Sequence, residues 1–228
     1  MLPAPSAIDA VIFDAGGVLL MPDAEAGRAA IATLNCETRP EDWHRAHYAA
    51  NVVLDRMQTL DWQAHRRAIA SEVGVAADQL DAAAALIEQI FAGTAWVAAD
   101  GAAEALRELS EAGYKLAVVS NAWGMVAQWL EQHEICTVNG SGLTRVGAVI
   151  DSHLVGIEKP DPRIFQLALD ALGVEPARSL YVGDTITFDV VGALAAGLHP
   201  VHVDPYSFCT GPHGHITALG ELTRWLSG

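Results

Sequence analysis

Lysine, cysteine and aromatic residues are all scarce in this 228-residue chain. Its three cysteines, Cys36, Cys136 and Cys209, lie far apart without a CxxC pair, which argues against a disulfide framework and a structural zinc site. No apolar stretch approaches the ~18 residues of a transmembrane helix. No basic segment precedes the first apolar run, so a secretory signal is not expected. The sequence therefore predicts a cytoplasmic protein with no membrane partner.

Positive charge is also in short supply. Lys and Arg together number 13 against 28 Asp and Glu, and the formal net charge is −15. Such a chain repels nucleic acid and anionic membranes, so neither is expected as a partner. The only lysines are Lys115 and Lys159, and a lysine among aspartates is therefore conspicuous. Hydrophobic residues make up 51% of the chain, enough for a packed core.

Short apolar runs alternate with helical patterns over much of the chain. Helices are predicted to begin at Asp100 and at Asp161-Pro162, and to end at Gly113 and Gly173. Alternating strands and helices predict a doubly wound α/β fold with a parallel sheet and right-handed crossovers. The predicted strands are 8–13, 116–119, 148–150, 180–182 and 201–203, the last of these being the final strand.

Residues 21–95 have a different character. They are rich in alanine and show helical periodicity with no strand pattern, which predicts a small all-helical domain inserted after the first strand. Residues 1–20 and 96–228 would then form the α/β core domain. Four helices are predicted in the insert, over 23–34, 40–56, 61–73 and 77–91. The large side chains expected in its core are Trp43, Tyr48, Met57 and Trp62.

Several predicted strands end in polar residues beside glycines or small residues. Asp14 precedes Gly16-Gly17, Ser120 and Asn121 end the second core strand, and Asp184 follows Gly183. Ligands of parallel sheets bind at the carboxyl ends of the strands, so these groups should converge there with Lys159. Carboxylates suit Mg²⁺, which recruits phosphate oxygens, and an ammonium group would neutralise a transferring phosphoryl group. The sequence thus predicts a Mg²⁺ site for a small phosphorylated substrate.

A histidine-rich stretch near the C-terminal end invites a second metal hypothesis. Its spacing fits no standard zinc pattern, and the prolines and glycines around it mark a loop. A solvated or hydrogen-bonded loop is therefore expected. Cys209 is not expected to be a nucleophile, because the sequence places no base beside it. The residues in question are His199, His202, Asp204, His213 and His215.

Four short motifs occur in an order that resembles the haloacid dehalogenase (HAD) superfamily. They are FDAGGVL at 13–19, VSN at 119–121, EKPDP at 158–162 and GDTITFD at 183–189. The resemblance covers residues 8–20 and about 96–203, and the helical insert lies where that family carries a C1-type cap. Each motif alone is weak, but four in order are specific.

The resemblance implies a role for each motif residue. Asp14 would be a nucleophile that forms an aspartyl intermediate, and Lys159 would orient it and bind the transferred group. Ser120 and Asn121 would also bind that group, although Asn121 is equally explained as a turn residue. The Mg²⁺ ligands would be Asp14, the backbone carbonyl of Gly16, Asp184 and, directly or through water, Asp189. For Asp189, a favourable carboxylate in a helix's first turn is the competing interpretation.

Gly16 departs from the family pattern. Phosphatases of this family usually carry a general-acid Asp two residues after the nucleophile, and general acid–base help is typically worth ~10²–10⁴-fold. Asp23, His44 and His47 of the insert are the candidates to replace it. Dehalogenases lack that Asp but usually lose the acidic metal motif too, and phosphonate-cleaving members use a cap lysine, which residues 21–95 lack.

The function predicted is a Mg²⁺-dependent phosphatase of a small phosphorylated metabolite. Two alternatives stay open. One is a weakly active or inactive relative that binds a phosphorylated ligand or partner. The other, less favoured, is a dehalogenase-type hydrolase. The oligomeric state is left open by the sequence.

Overall fold

The computed structural model describes residues 2–92 and 95–228 and divides the chain into two compact units. One unit consists of Met1–Leu20 and Ala98–Gly228, and the other of Met21–Val97. The strands, in chain order, are β1 (Ala10–Phe13), β2 (Leu20–Pro22), β3 (Trp96–Ala98), β4 (Lys115–Ser120), β5 (Ala148–Asp151), β6 (Ser179–Gly183), β7 (His199–Val203) and β8 (Gly214–Ile216). The α-helices are α1 (Ala24–Ile31), α2 (Pro40–Met57), α3 (Trp62–Glu72), α4 (Leu80–Phe91), α5 (Ala102–Glu111), α6 (Val126–Gln132), α7 (Ser152–Val155), α8 (Pro162–Leu172), α9 (Val191–Ala195) and α10 (Leu219–Ser227).

The first unit is built on a six-stranded parallel sheet in the order β5-β4-β1-β6-β7-β8. The chain leaves β1 towards β4 and β5, then returns to the other side of β1 for β6 to β8. This arrangement confirms the predicted doubly wound α/β fold. The prediction that 201–203 is the final strand is wrong, because β8 follows it and pairs with β7. β8 has the sequence Gly-His-Ile, which is too short and has too few apolar side chains to show a strand pattern.

The centre of the sheet is apolar on both faces. All four residues of β1 are buried, as expected for a strand between two parallel neighbours with helices on each side. Ile164, Phe165 and Ala168 on α8 pack onto one face against Ile12 and Tyr181. The position of α8 is set locally, since Asp161 caps its first turn and Gly173 ends it at φ 61°. This packing fixes the loop that precedes α8.

The second unit is helical and contains α1 to α4. Trp43 and Tyr48 are buried in it and Trp62 is half-buried, whereas Met57 is 43% exposed. The prediction of a core position is therefore confirmed for the first two and wrong for Met57, which ends α2. Among the residues described, no helix is both long and apolar enough to cross a membrane.

Gly27 of α1 packs directly against the ring of Trp43 in α2. A Cβ at position 27 would lie 2.6 Å from the Trp43 ring. Gly27→Ala is therefore expected to lower the free energy of unfolding by about 1–3 kcal/mol through overpacking. Gly220→Ala in α10 is the matched control, because its Cβ would meet only Arg224, at 3.6 Å. There, helix propensity should raise stability by up to ~1 kcal/mol. Urea unfolding of both variants measures the difference, and equal effects would contradict this packing.

His65 makes the helical unit sensitive to acid. Burial, with smaller effects from His47 and Arg66, lowers the pKa of His65 to about 3. Its Nε2 lies 3.1 Å from Asn51 Oδ1. In the unfolded chain, His65 would bind a proton with the ordinary histidine pKa of ~6.5, whereas in the folded chain it stays neutral until about pH 3. The contribution of His65 to the free energy of unfolding is therefore complete above pH ~6.5 and is lost as the pH falls towards 3. At pH ~4.5 the free energy of unfolding should be lower by about 2–3 kcal/mol than at neutral pH.

Urea unfolding at neutral pH and at pH ~4.5 tests this linkage. In His65→Gln the pH-dependent loss should be smaller by that amount, whereas the exposed His153→Gln should behave as the parent protein. An acid sensitivity unchanged in His65→Gln would show that other groups are responsible.

Candidate active site

Three neighbouring strands bring polar groups to one edge of the sheet. Asp14 directly follows β1, Ser120 is the last residue of β4, and Asp184 directly follows β6. Because β4, β1 and β6 are adjacent and parallel, their carboxyl ends meet at the point where the strand order reverses. Asp14 N–H donates to the Val182 carbonyl at 2.8 Å, which ties the start of this loop to β6.

Lys159 lies at the centre of these groups. Its Nζ is 2.9 Å from Asp14 Oδ2 and 2.7 Å from Asp189 Oδ1, and it donates to the Tyr181 hydroxyl at 2.9 Å. The side chain is only 2% exposed, so this ammonium is held almost entirely by protein oxygens. The structure thus brings together Asp14, Lys159 and Asp189, which come from three distant parts of the chain.

Asp189 uses both carboxylate oxygens within the protein. Oδ1 faces Lys159 and Tyr181, and Oδ2 accepts from the Thr185 N–H at 2.9 Å, the Thr185 hydroxyl at 2.6 Å and the Asp184 N–H at 3.2 Å. These contacts favour an anchoring role, in which Asp189 holds both the lysine and the turn that carries Asp184. The π-helical turn Ile186–Val190 supplies this position.

Gly183 lies directly against Asp189. A Cβ at position 183 would lie 2.4 Å from the Asp189 Cβ and Cγ. Since the Asp189 carboxylate is held by Thr185 and Lys159, it has no room to move away. Only glycine fits at the end of β6.

Burial governs the charges of the site. It raises the pKa of Asp14 to about 7 against the lowering by Lys159, and the charges of Asp189 and Asp184 add smaller increases. Burial also acts against ionisation of Asp189, but the ammonium of Lys159 prevails and the pKa of Asp189 lies below its ordinary value. For Lys159, the two carboxylates overcome burial and raise its pKa. One cation therefore faces more acidic groups than it can neutralise.

The same carboxylates could hold a divalent cation. One oxygen each from Asp14, Asp184 and Asp189 can be chosen so that all lie within 4.8 Å of one another, and all three residues are buried. Clustered oxygens with excess negative charge are the donor set that Mg²⁺ takes in proteins. The residues present therefore fit a Mg²⁺ ion, which Asp14 and Asp184 would hold.

The remaining predicted residues lie at the same edge. Asn121 donates its amide to the Lys159 carbonyl at 3.0 Å and accepts from the Lys159 N–H at 2.8 Å, so it positions the lysine backbone. Its predicted contact with substrate stays a prediction. Ser120 is buried opposite Asp151 of β5. Gly16 forms a bridge with Leu20 in the loop after β1, and its predicted carbonyl contact with metal also stays a prediction.

Tyr181 is a site residue that sequence reasoning missed. Its hydroxyl lies 3.0 Å from the Val119 carbonyl and 3.1 Å from Asp189 Oδ1, and burial raises its pKa well above its ordinary value. It is therefore a neutral partner of Lys159. In the sequence it sits inside an apolar strand pattern, where a tyrosine is explained by packing alone.

The histidine-rich stretch is also more ordered than predicted. His202 lies buried in β7 and His215 is exposed in β8, and the two residues pair across the strands. The expectation of a loop is therefore wrong for His199, which begins β7, and for His215, because these strands lie among prolines and glycines, whereas the predicted strand 201–203 already included His202. His213 Nε2 lies 3.7 Å from Cys209 Sγ, so a possible base does stand beside this cysteine. Burial, with smaller effects from His215 and His202, lowers the pKa of His213 to about 4.

The chain is thus a doubly wound α/β protein with an acidic site around a buried lysine at the carboxyl edge of its sheet. The family model "haloacid dehalogenase-like hydrolase" matches residues 8–197. The chain belongs to this family of hydrolases.

Similarity to named proteins is consistent with that membership. Over 153 residues the chain is 35% identical to haloacid dehalogenase-like hydrolase domain-containing protein 3 of Bos taurus, covering 62% of this chain and 58% of the relative. It is 36% identical over 104 residues to glyceraldehyde 3-phosphate phosphatase of Methanopyrus kandleri, covering 43% of this chain and 40% of the relative. The chain thus spans about half the length of these curated relatives.

Solved structures show the same fold. The HAD-hydrolase YfnB from Bacillus subtilis, in a form bound to magnesium, superposes with a TM-score of 0.65 at 20% identity, covering 97% of this chain and 99% of that one.

Proposed function

We propose that this hydrolase is a Mg²⁺-dependent phosphatase of small phosphorylated metabolites, with Asp14 as its nucleophile. The observation that carries the proposal is the pair of contacts from Lys159 Nζ to Asp14 and Asp189, at 2.9 and 2.7 Å. They fix one oxygen of a carboxylate beside a cation at the carboxyl edge of the sheet. Similarity to a protein named as a phosphatase supports the reaction class.

In the proposed reaction, Asp14 Oδ2 attacks phosphorus as the ester oxygen leaves with the electron pair of the P–O bond and takes up a proton from solvent. Water then attacks the aspartyl phosphate, releasing inorganic phosphate and restoring the carboxylate. Asp14 Oδ1 accepts the Ala15 N–H at 2.7 Å, which leaves Oδ2 directed at Lys159. Lys159 stabilises charge on the transferring group, and a Mg²⁺ ion at Asp14 and Asp184 would supply further positive charge there.

Retention of the acidic metal site favours phosphoryl transfer over dehalogenation. Halide leaves without a proton and needs no cation, so a dehalogenase has little use for the buried carboxylate of Asp184, whereas Asp189 would anchor Lys159 in either enzyme. The helical insert at 21–95 is proposed to be the cap domain of the family. Of its three candidate acids, Asp23 caps α1 through hydrogen bonds to Glu25 and Ala26, His47 is buried, and His44 is exposed.

A chromogenic aryl phosphate tests the proposal directly. Turnover should require Mg²⁺, stop in EDTA and return when Mg²⁺ is restored. Release of halide from a 2-haloacid that continues in EDTA would identify a dehalogenase instead. Binding of phosphate or vanadate without turnover of any phosphoester would identify a binding relative.

Gly16→Asp should restore a general acid. We expect it to speed hydrolysis of alkyl phosphates by ~10-fold or more, because proton donation to the leaving group is typically worth 10²–10⁴-fold. Aryl phosphates, which leave well without a proton, should gain much less. Gly16 does not have a positive φ, unlike Gly17 at 73°, so its backbone accepts a side chain.

The control for this variant is Gly16→Asn, which has the same size but cannot donate as an acid. The ratio of alkyl to aryl kcat/KM should rise only in Gly16→Asp. Equal ratios in the two variants would refute the missing acid as the limitation.

A further inference from the structure

A cluster of three histidines and one cysteine lies outside the proposed catalytic site. One ligand atom from each of its members can be chosen so that all lie within 4.8 Å of one another. The members are His202, Cys209, His213 and His215. We propose that this cluster, here called the His₃Cys cluster, binds a transition-metal ion of the Zn²⁺ class.

The distances between the donor atoms of the cluster are those expected for ligands of one metal ion, and they are too long for hydrogen bonds between these atoms. His213 Nε2 lies 3.5 Å from His202 Nδ1 and 3.7 Å from Cys209 Sγ. Tetrahedral Zn²⁺ sets its ligands about 3.4 Å apart for two nitrogens and about 3.6 Å for nitrogen and sulfur, from bond lengths of ~2.05 and ~2.3 Å. A nitrogen–nitrogen hydrogen bond would be shorter, and one N–H could not serve both neighbours.

Two of the imidazoles are oriented as metal ligands. His202 Nε2 lies 3.3 Å from the Asp184 carbonyl, and His215 Nε2 lies 3.1 Å from the Gly211 carbonyl. A carbonyl only accepts, so each Nε2 carries the proton and each Nδ1 presents a lone pair. Ligating histidines commonly donate their other N–H in this way, which fixes ring and tautomer.

The backbone also prepares the cysteine. Gly211 N–H donates to Cys209 Sγ at 3.2 Å, which fixes the position of the sulfur. Asp204 accepts from the N–H groups of Phe208 and Cys209 at 2.9 and 2.8 Å, holding the loop in place. A Cβ at position 211 would lie 2.6 Å from the His213 ring, so only glycine permits this approach.

The chemistry of the donors selects the metal. Imidazole nitrogen with one thiolate suits Zn²⁺ or Co²⁺, whereas Mg²⁺ prefers oxygen. His202 is buried, Cys209 and His213 are half-buried and His215 is exposed, so an ion can enter from solvent. Binding releases the thiol proton of Cys209, and the four donors then carry one negative charge.

Co²⁺ titration of the full chain tests the proposal. The protein is stripped with EDTA, dialysed, and titrated in excess Mg²⁺, which occupies oxygen sites. One equivalent should bind with the intense visible bands of tetrahedral Co²⁺ and a thiolate-to-cobalt charge-transfer band in the near ultraviolet. One equivalent of Zn²⁺ should abolish both. A pale octahedral spectrum, or displacement by Mg²⁺, would overturn the proposal without any variant.

Substitutions then assign the ligands. Cys209→Ser should remove the charge-transfer band. His215→Gln should weaken Co²⁺ binding by more than ~100-fold, because loss of a residue that only hydrogen-bonds to a metal ligand already lowers metal affinity by ~10–100-fold. Cys36→Ser and His153→Gln are matched controls outside the cluster and should bind as the parent does. A charge-transfer band that survives Cys209→Ser, or affinity unchanged in His215→Gln, would refute the site. Because His215 is exposed, that variant should fold, and circular dichroism checks this.

Discussion

Asp14→Asn should abolish Mg²⁺-dependent phosphatase turnover while leaving the protein folded. Loss of a catalytic nucleophile costs about 10⁴–10⁶-fold in kcat, and an amide cannot form the aspartyl phosphate. The replacement has the same shape, and its oxygen can still accept the Ala15 N–H that Asp14 Oδ1 accepts at 2.7 Å. The measurement is kcat with an aryl phosphate in excess Mg²⁺, together with a thermal unfolding curve.

Asp9→Asn is the matched control for this loss. Asp9 immediately precedes β1, at the opposite end of the strand from Asp14, and pairs with Arg178 at the surface. The same chemical change there should leave kcat unaltered. If Asp14→Asn kept more than about one-hundredth of the parent activity, Asp14 could not be the nucleophile, because that loss is far smaller than the loss of a nucleophile causes.

Lys159→Met should cause the largest loss of stability of any single substitution considered. It leaves Asp14 and Asp189 buried without their shared cation, and breaking a buried ion pair in this way costs about 3–5 kcal/mol. Urea unfolding in EDTA measures this loss. Mg²⁺ should restore part of it, because an ion bound to Asp14 and Asp184 supplies charge in place of the ammonium.

Lys115→Met provides the comparison, since Lys115 is the only other lysine of the chain. It is exposed at the start of β4 and donates to the Leu172 carbonyl at 2.8 Å. Its loss should cost no more than ~1.5 kcal/mol and should not respond to Mg²⁺. Equal losses in the two variants would mean that Lys159 is not held as an ion between two carboxylates.

The fold was largely accessible from the sequence because strand and helix patterns alternate. Asp161-Pro162 and Gly173 marked α8 correctly, since capping and glycine termination are local. Strand positions also predicted that Asp14 and Asp184 would meet, because parallel strands place their carboxyl ends at one edge. Prediction was weakest where elements are short, as with β8.

The site could be predicted in composition but not in its contacts. Nothing local shows that Tyr181 supports Lys159, or that both Asp189 oxygens are taken by protein donors. These contacts depend on side-chain packing across strands distant in sequence. A metal hypothesis for the histidine-rich stretch was set aside for the same reason: its spacing fits no standard pattern, and His202 and His215 become neighbours only when β7 and β8 pair.

The contact between Gly183 and Asp189 gives a structural reason for the glycine that begins the GDTITFD motif at 183–189. Saturation mutagenesis should find position 183 as intolerant as the acidic positions around it, although glycine offers no reactive group. Gly183 and Asp189 behave as one steric unit, since the end of β6 admits the Asp189 carboxylate only where a side chain is missing. Intolerance of substitution at position 183 would therefore reflect a steric requirement and not a catalytic one. The same intolerance should be found in relatives that have no catalytic activity.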